Sequence, residues 1–143
     1  MTIPQISVFL ENKAGQLADI TNILSENQVN MRAINIAETA DYGVLRLIVD
    51  DAAKASSILL EQGFILTMTP VVGVAVSDTP GGLSNVLGVI SRAEIDVEYM
   101  YSVFGQKDGQ ACMIFRVADA ESLTDVLEKN GLNTIKGEDL GLH

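Results

Sequence analysis

The second half of this 143-residue sequence repeats the first half. A shift of 66 residues aligns glycine, aliphatic and short polar residues of the two halves: Gly15 with Gly81, Leu17 with Leu83, Val29 with Ile95 and Asn30 with Asp96. Further along, the shift is 68 residues and aligns Gly63 with Gly131. A chain that repeats itself in this way consists of two copies of one structural unit. We therefore predict one domain over residues 1–69 and a second over 70–143.

Both copies show the same order of predicted elements. In the first copy, short apolar runs typical of strands flank a helix whose apolar face carries Leu17, Ile20 and Leu24. A second helix follows Asp51, a residue suited to cap it, and ends at Gly63; Asp119 is expected to cap its counterpart in the second copy. The order β-α-β-β-α-β is that of the ferredoxin-like unit. The sequence predicts an α+β fold of two tandem ferredoxin-like units, with antiparallel sheets, helices on one face, and the units packed side by side.

The junction and the second copy carry three more specific predictions. The junction contains no flexible linker, and we predict separate strands over 64–68 and 71–77. Thr79 is expected to cap the next helix because its hydroxyl precedes Pro80. A long strand is expected over 95–104.

A polar turn that contains glycine joins the first strand to the first helix in both copies. Backbone N–H groups at a helix N-terminus attract a carboxylate, and glycine lets a ligand approach the backbone closely. Asn12 and Asp78 stand in these turns, and Asn30 and Asp96 stand at the start of the second strands. We expect each repeat to supply a donor cluster and an acceptor a few ångströms apart, as a zwitterion requires. The same residues are also compatible with ordinary helix caps, which are common.

This combination of element order and turn resembles the ACT domain, a small regulatory module of enzymes such as phosphoglycerate dehydrogenase, aspartate kinase and the small subunit of acetohydroxyacid synthase. The turn of that family reads Asp/Asn-x-Pro-Gly-x-Leu, and residues 78–83 fit it fully. The first copy has Ala14 in place of the proline. Val29-Asn30-Met31 at the start of the second strand adds to the resemblance, which covers residues 4–137.

The resemblance implies a non-catalytic sensor that binds a free amino acid at the interface of two ACT units and regulates a partner. Asn12 and Asn30 match the two asparagines that hold the amino acid in serine-binding members, and Asp78 and Asp96 are their equivalents. A carboxylate repels the carboxylate of a ligand, whereas an amide does not, so the two potential sites are not equivalent. The candidate binding residues are Asn12, Lys13, Ala14, Gly15, Gln16, Leu17, Asn30, Met31, Asp78, Thr79, Pro80, Gly81, Gly82, Leu83, Asp96 and Val97.

The leading alternative to the sensor is a dissociable regulatory subunit of an enzyme of amino-acid metabolism, with a vestigial ligand site and sheet edges that dock the enzyme. A further alternative is an enzyme built on the ferredoxin-like fold, which the absence of an acid–base pair in the sequence disfavours. The candidate partners are therefore a free amino acid, such an enzyme, and a second copy of the chain in a homodimer.

Composition argues against several other classes of protein. A formal net charge of −10 opposes binding to nucleic acid. No apolar run approaches the roughly 20 residues of a membrane span, and no signal peptide is recognisable, so we expect a cytoplasmic protein. Cys112 is the one cysteine and His143 the one histidine, which leaves no metal cluster and no acid–base pair. We expect neither a cofactor nor enzymatic activity.

Overall fold

The computed structural model describes residues 2–11, 13–38, 42–105 and 108–143. The chain divides into two compact units. The first unit comprises Pro4–Thr69 together with Leu140–His143. The second comprises Pro70–Asp139 together with the N-terminal residues up to Ile3. The last four residues of the chain thus pack with the first repeat rather than with the second.

The first unit has the predicted β-α-β-β-α-β order. Its elements are β1 (Ile3–Glu11), α1 (Gln16–Glu26), β2 (Met31–Glu38), β3 (Tyr42–Val49), α2 (Ala52–Glu61) and the first part of β4 (Ile65–Ser77). The strand order is β2-β3-β1-β4, and β3 runs antiparallel to both of its neighbours. Alternate residues of β1 and β3 meet the apolar faces of the helices in one core: Ile6, Val8, Leu10, Ile20, Leu24, Leu45, Leu47, Val49, Ala55 and Leu59.

The second unit repeats this arrangement. It uses the second part of β4, followed by α3 (Gly82–Arg92), β5 (Tyr99–Ser102), β6 (Gln110–Arg116), α4 (Ala120–Lys129), β7 (Thr134–Ile135) and a 3-10 turn (Gly137–Leu140). Its strand order is β5-β6-β4-β7, which is the same topology as in the first unit. Phe115 is the largest side chain of its core, which also contains Ile90, Leu123 and Leu127. The prediction of an α+β fold built from two tandem ferredoxin-like units is confirmed.

The strand at the junction differs from the prediction. We expected two strands, over 64–68 and 71–77, but β4 runs through Pro70 without a break. Proline fits an extended backbone because its fixed φ of roughly −65° lies within the β region. The Pro70 carbonyl accepts a hydrogen bond from Nη1 of Arg116 at 2.8 Å. The chain therefore passes from one unit into the next inside a strand.

The strand predicted over 95–104 is shorter in the structure. Its ladder with β6 spans Tyr99–Ser102, where Tyr99 pairs with Arg116. Ile95 and Val97 pack on the core of the second unit, and Asp96 between them is exposed to solvent. That alternation of apolar and polar residues is typical of a strand, although the backbone here lies outside the ladder.

Two of the three predicted helix caps are confirmed. Oδ1 of Asp51 accepts a hydrogen bond from the Lys54 amide at 3.1 Å, and Oδ1 of Asp119 accepts one from the Ser122 amide at 3.0 Å. The prediction for Thr79 is wrong, because α3 begins after Gly81 and has no side-chain cap. The Thr79 hydroxyl instead bonds with that of Ser77 at 2.9 Å. None of the helices in the described residues has the length and apolar character needed to cross a membrane.

Candidate functional site

The glycines of the two turns lie at helix N-termini, as predicted. Gly15 precedes α1 with a φ of 85°, and Gly81 precedes α3 with a φ of 87°. A residue with a side chain would be strained by roughly 1–2 kcal/mol in this left-handed conformation. The carbonyl of each glycine accepts the first hydrogen bond of its helix at 2.9 Å. Both turns thus direct the unpaired N–H groups of a helix toward the polar turn before it.

A cleft of about 450 Å³ lies beside the first turn, inside the first unit. Its volume falls within the range of roughly 300–1,000 Å³ that is usual for small-molecule sites. Three strands and α1 contribute to it, because the end of β1, the start of β3 and the end of β2 lie side by side at the same end of the sheet. The lining residues are Leu10, Glu11, Lys13, Ala14, Gln16, Leu17, Ile36 and Gly43.

Aliphatic side chains form one wall of this cleft. Leu10 is 8% exposed, whereas Leu17 is 36% and Ile36 is 38% exposed. Leu17 lies on the first turn of α1, and Ile36 lies on β2 opposite Leu45 of β3. Burying such apolar surface against a ligand is favourable by about 25 cal/mol per Å².

Opposite charges stand side by side at the mouth of the cleft. Nζ of Lys13 lies 2.6 Å from Oε2 of Glu11, and both side chains are largely exposed. The hydrogen bond from Lys13 and its positive charge lower the pKa of Glu11, and the same pair raises the pKa of Lys13. Both groups are therefore charged at neutral pH. The carboxylate of Glu11 is a complementary partner for the ammonium of a zwitterion, and the ammonium of Lys13 is one for its carboxylate.

Gln16 supplies an acceptor that lacks a partner. Its Oε1 is buried, and it has no hydrogen bond among the described residues. An unsatisfied buried acceptor costs roughly 1–3 kcal/mol, which a ligand N–H group would recover. The backbone amide of Gln16 donates to the Lys13 carbonyl at 3.4 Å, which is a long hydrogen bond.

The structure does not bring the other predicted residues of the first repeat into this cleft. Asn12 lies outside the described residues. Asn30 lies beyond the far end of α1, where its backbone amide donates to Oδ1 of Asp50 at 3.0 Å. Met31 packs on the core. An 11-residue helix is about 16 Å long, so one amino acid cannot contact both Gly15 and Asn30 of the same unit. Within one unit, α1 therefore separates Asn30 from the turn, whereas the contact of Asn12 with a ligand stays a prediction.

The predicted residues of the second repeat are separated in the same way. The Asp78 amide donates to the Gly109 carbonyl at 3.1 Å, and its side chain is exposed near the start of α3. Asp96 is exposed beyond the end of α3, and Val97 and Leu83 pack on the core. Pro80 and Gly81 are exposed in the turn. These residues do not form a single site within the second unit.

Sequence reasoning missed four residues that line the cleft: Leu10, Glu11, Ile36 and Gly43. Leu10 and Glu11 directly precede the predicted turn, so their position beside it could have been inferred. Ile36 and Gly43 reach the cleft through the pairing of β2 and β3 with β1, which depends on contacts distant in sequence.

The described residues contain no group of three or more His, Cys, Asp and Glu side chains suited to a metal ion. Cys112 lies partly buried on β6. Burial raises the pKa of its thiol to about 11, so the thiol is protonated at neutral pH.

Comparison with known proteins identifies the family. The family model of the ACT domain pair matches residues 1–142. The crystal structure of protein BT0572 from Bacteroides thetaiotaomicron is 36% identical, with a TM-score of 0.91, over 99% of this chain and 96% of that chain.

More distant structures share the fold. The regulatory subunit of aspartate kinase from Thermus thermophilus gives a TM-score of 0.61 at 16% identity, over 88% of this chain and 91% of that chain. The corresponding subunit from Thermus flavus gives a TM-score of 0.56 at 14% identity, over 88% and 90%. No curated protein sequence matches. On the strength of the family model and of the relative at 36% identity, the chain belongs to the family of ACT domain pairs.

Proposed function

We propose that this protein is a non-catalytic cytoplasmic sensor that binds a free amino acid and thereby regulates a partner protein. The observation that carries the proposal is the cleft at the N-terminus of α1. It combines an aliphatic wall, a pair of opposite charges and a buried acceptor without a partner. An α-amino acid carries a matching set of groups, a carboxylate and an ammonium on one carbon beside a side chain.

The polar groups of the cleft suggest how the ligand is held. The carboxylate of the amino acid binds the free N–H groups of the first turn of α1 and the ammonium of Lys13. The α-ammonium donates to Glu11, and to Oε1 of Gln16 once a rotation of that side chain brings the buried oxygen to the surface of the cleft. Charge-assisted hydrogen bonds of this kind contribute roughly 1.5–3 kcal/mol each. The exchange of the Glu11–Lys13 contact for ligand contacts costs little because both side chains are exposed.

Asn12 and Asn30 remain proposed ligand contacts. Asn12 directly follows Glu11 of the cleft. Asn30 lies too far away to reach a ligand in the cleft of its own unit, and it joins such a site from a second copy of the chain. The proposal therefore includes a homodimer.

An enzyme of amino-acid metabolism is the proposed partner. The fold is shared with regulatory subunits of aspartate kinase, and this likeness supports a partner of that kind. It also favours the alternative of a dissociable regulatory subunit whose ligand site is vestigial. The two functions differ in whether a free amino acid binds.

A thermal-shift screen against the common amino acids separates them. A ligand present at about 100 times its dissociation constant adds roughly 2.7 kcal/mol of stability, which raises the melting temperature clearly. We expect a hit from one chemical class of amino acid. Lys13→Ala and Gln16→Ala should reduce the shift, whereas the exposed controls Lys54→Ala and Gln62→Ala should retain it. A screen in which no amino acid stabilises the protein favours the vestigial subunit.

A further inference from the structure

We infer that the chain carries one amino-acid site, in the cleft of the first unit, and that this site selects an amino acid with an aliphatic side chain. The inference rests on the proposed function and adds to it the ligand class and the number of sites.

The aliphatic wall carries the first half of the argument. Leu17 and Ile36 each leave more than a third of their surface exposed in the cleft, beside the buried Leu10. An aliphatic ligand side chain covers this surface, whereas a polar or charged side chain loses its hydration there without gaining a hydrogen bond. The carboxylate of Glu11 and the net charge of −10 further disfavour an acidic amino acid.

The second unit lacks the counterpart of Ile36 in this wall. Val76 and Leu83 align with Leu10 and Leu17 at the shift of 66 residues. Ile36 pairs with Leu45 across β2 and β3, and Ser102 pairs with Met113 across β5 and β6. The shift of 68 residues aligns Leu45 with Met113, so Ser102 occupies the position of Ile36. A short hydroxyl side chain, exposed to solvent, thus replaces the isoleucine.

The turn of the second unit also has no room for a side chain at Gly82, the position that Gln16 occupies in the first unit. Gly82 occupies the position of Gln16, and a Cβ added to Gly82 would overlap the carbonyl oxygen of Ser77. The Gly82 amide donates to the Thr79 carbonyl at 3.0 Å, compared with 3.4 Å for Gln16 in the first turn. The hydroxyls of Ser77 and Thr79 bond with each other. The second turn therefore supplies neither the side-chain acceptor nor the space of the first.

Calorimetric titration of the full-length protein tests the inference. L-leucine, L-isoleucine, L-valine and L-serine are titrated separately, and the number bound per chain is measured. We expect one ligand per chain, with the best aliphatic amino acid binding at least about tenfold more tightly than serine. Ile36→Ser should weaken that binding about tenfold or more, and Leu17→Thr should weaken it in the same direction.

Ile65→Ser is the matched control because Ile65 is 70% exposed on β4 and does not line the cleft. It should bind like the parent protein, and so should Ser102→Ile in the second unit. Melting curves of each variant confirm that it is folded.

Two ligands per chain, tighter binding of serine, or aliphatic binding unaffected by both Ile36→Ser and Leu17→Thr would overturn the inference. Binding of a polar amino acid that Lys13→Ala abolishes would overturn it while leaving the proposed function intact. If no amino acid binds at all, both fail.

Discussion

Two glycines of α3 respond in opposite ways to the same substitution. Gly82 and Gly88 lie six residues apart in the helix Gly82–Arg92. A Cβ at Gly88 would lie 3.3 Å from Nη1 of Arg92, the mobile end of a long side chain. A Cβ at Gly82 would overlap the Ser77 carbonyl oxygen and lie 2.9 Å from its carbonyl carbon, and these are backbone atoms. The first contact is relieved by a side-chain rotation, whereas the second requires the backbone to move.

The magnitudes follow from this difference. Alanine in a helix interior is favoured over glycine by roughly 0.5–1 kcal/mol, so Gly88→Ala should stabilise the second unit by about that amount. Forcing extra atoms into a packed contact typically costs roughly 1–3 kcal/mol. Gly82→Ala should therefore destabilise the protein by about 0.5–2 kcal/mol, because the gain in helix propensity offsets part of that cost.

Urea unfolding, followed by circular dichroism and tyrosine fluorescence, measures both effects. Tyr99 and Tyr101 lie in the second unit and Tyr42 in the first, so the fluorescence reports mainly on the unit that carries the substitutions. We expect the unfolding midpoints to increase in the order Gly82→Ala, parent protein, Gly88→Ala. A Gly82→Ala protein as stable as the parent would refute the close approach to Ser77, and with it the closed second turn.

Three further predictions concern stability and reactivity. Asp51→Ala and Asp119→Ala should each cost about 1 kcal/mol in urea unfolding by removing a helix cap, whereas the asparagine variants should retain most of the stability. The Cys112 thiol, with its pKa raised to about 11, should react slowly with iodoacetamide at pH 8 and faster after unfolding in urea; fast alkylation of the folded protein would contradict its burial. Removal of Leu140–His143 deletes the buried Leu140 side chain and the hydrogen bond that the His143 backbone amide donates to the Asp50 carbonyl at 2.7 Å. We expect the truncated protein to lose about 1–3 kcal/mol of stability, and unchanged melting would show that the C-terminus contributes no packing.

The fold could be predicted from the sequence because its signals are local and occur twice. The spacing of Leu17, Ile20 and Leu24 marks one face of a helix, and Asp51 and Asp119 mark helix starts. The helix cap predicted at Thr79 does not form, because Gly81 is the residue that precedes α3. The Thr79 hydroxyl bonds with the Ser77 hydroxyl instead. The strands predicted over 64–68 and 71–77 are one strand in the structure, because an extended backbone accommodates Pro70 inside β4.

Fewer residues of the candidate site could be predicted from the sequence. The turn residues Lys13 to Leu17 could be selected from their position before α1, and all except Gly15 line the cleft. Ile36 could not be selected, because its place depends on the register between β2 and β3. The sequence pattern groups Asn30 with the turn of the same repeat, although α1 separates the two by about 16 Å. The repeat alignment also concealed the difference between Gln16 and Gly82, whose consequence depends on the position of the Ser77 carbonyl.

Amide chemical shifts of the ¹⁵N-labelled protein, titrated with L-leucine, test the central claim most directly. If the cleft of the first unit holds the ligand, the largest changes occur at Lys13 to Leu17, with further changes at Ile36 and Gly43. The amides of Gly81, Gly82 and Leu83 in the second turn should stay nearly unchanged. Changes centred on the second turn, or none at residues 13–17 under saturating ligand, would contradict an amino-acid site in the first unit.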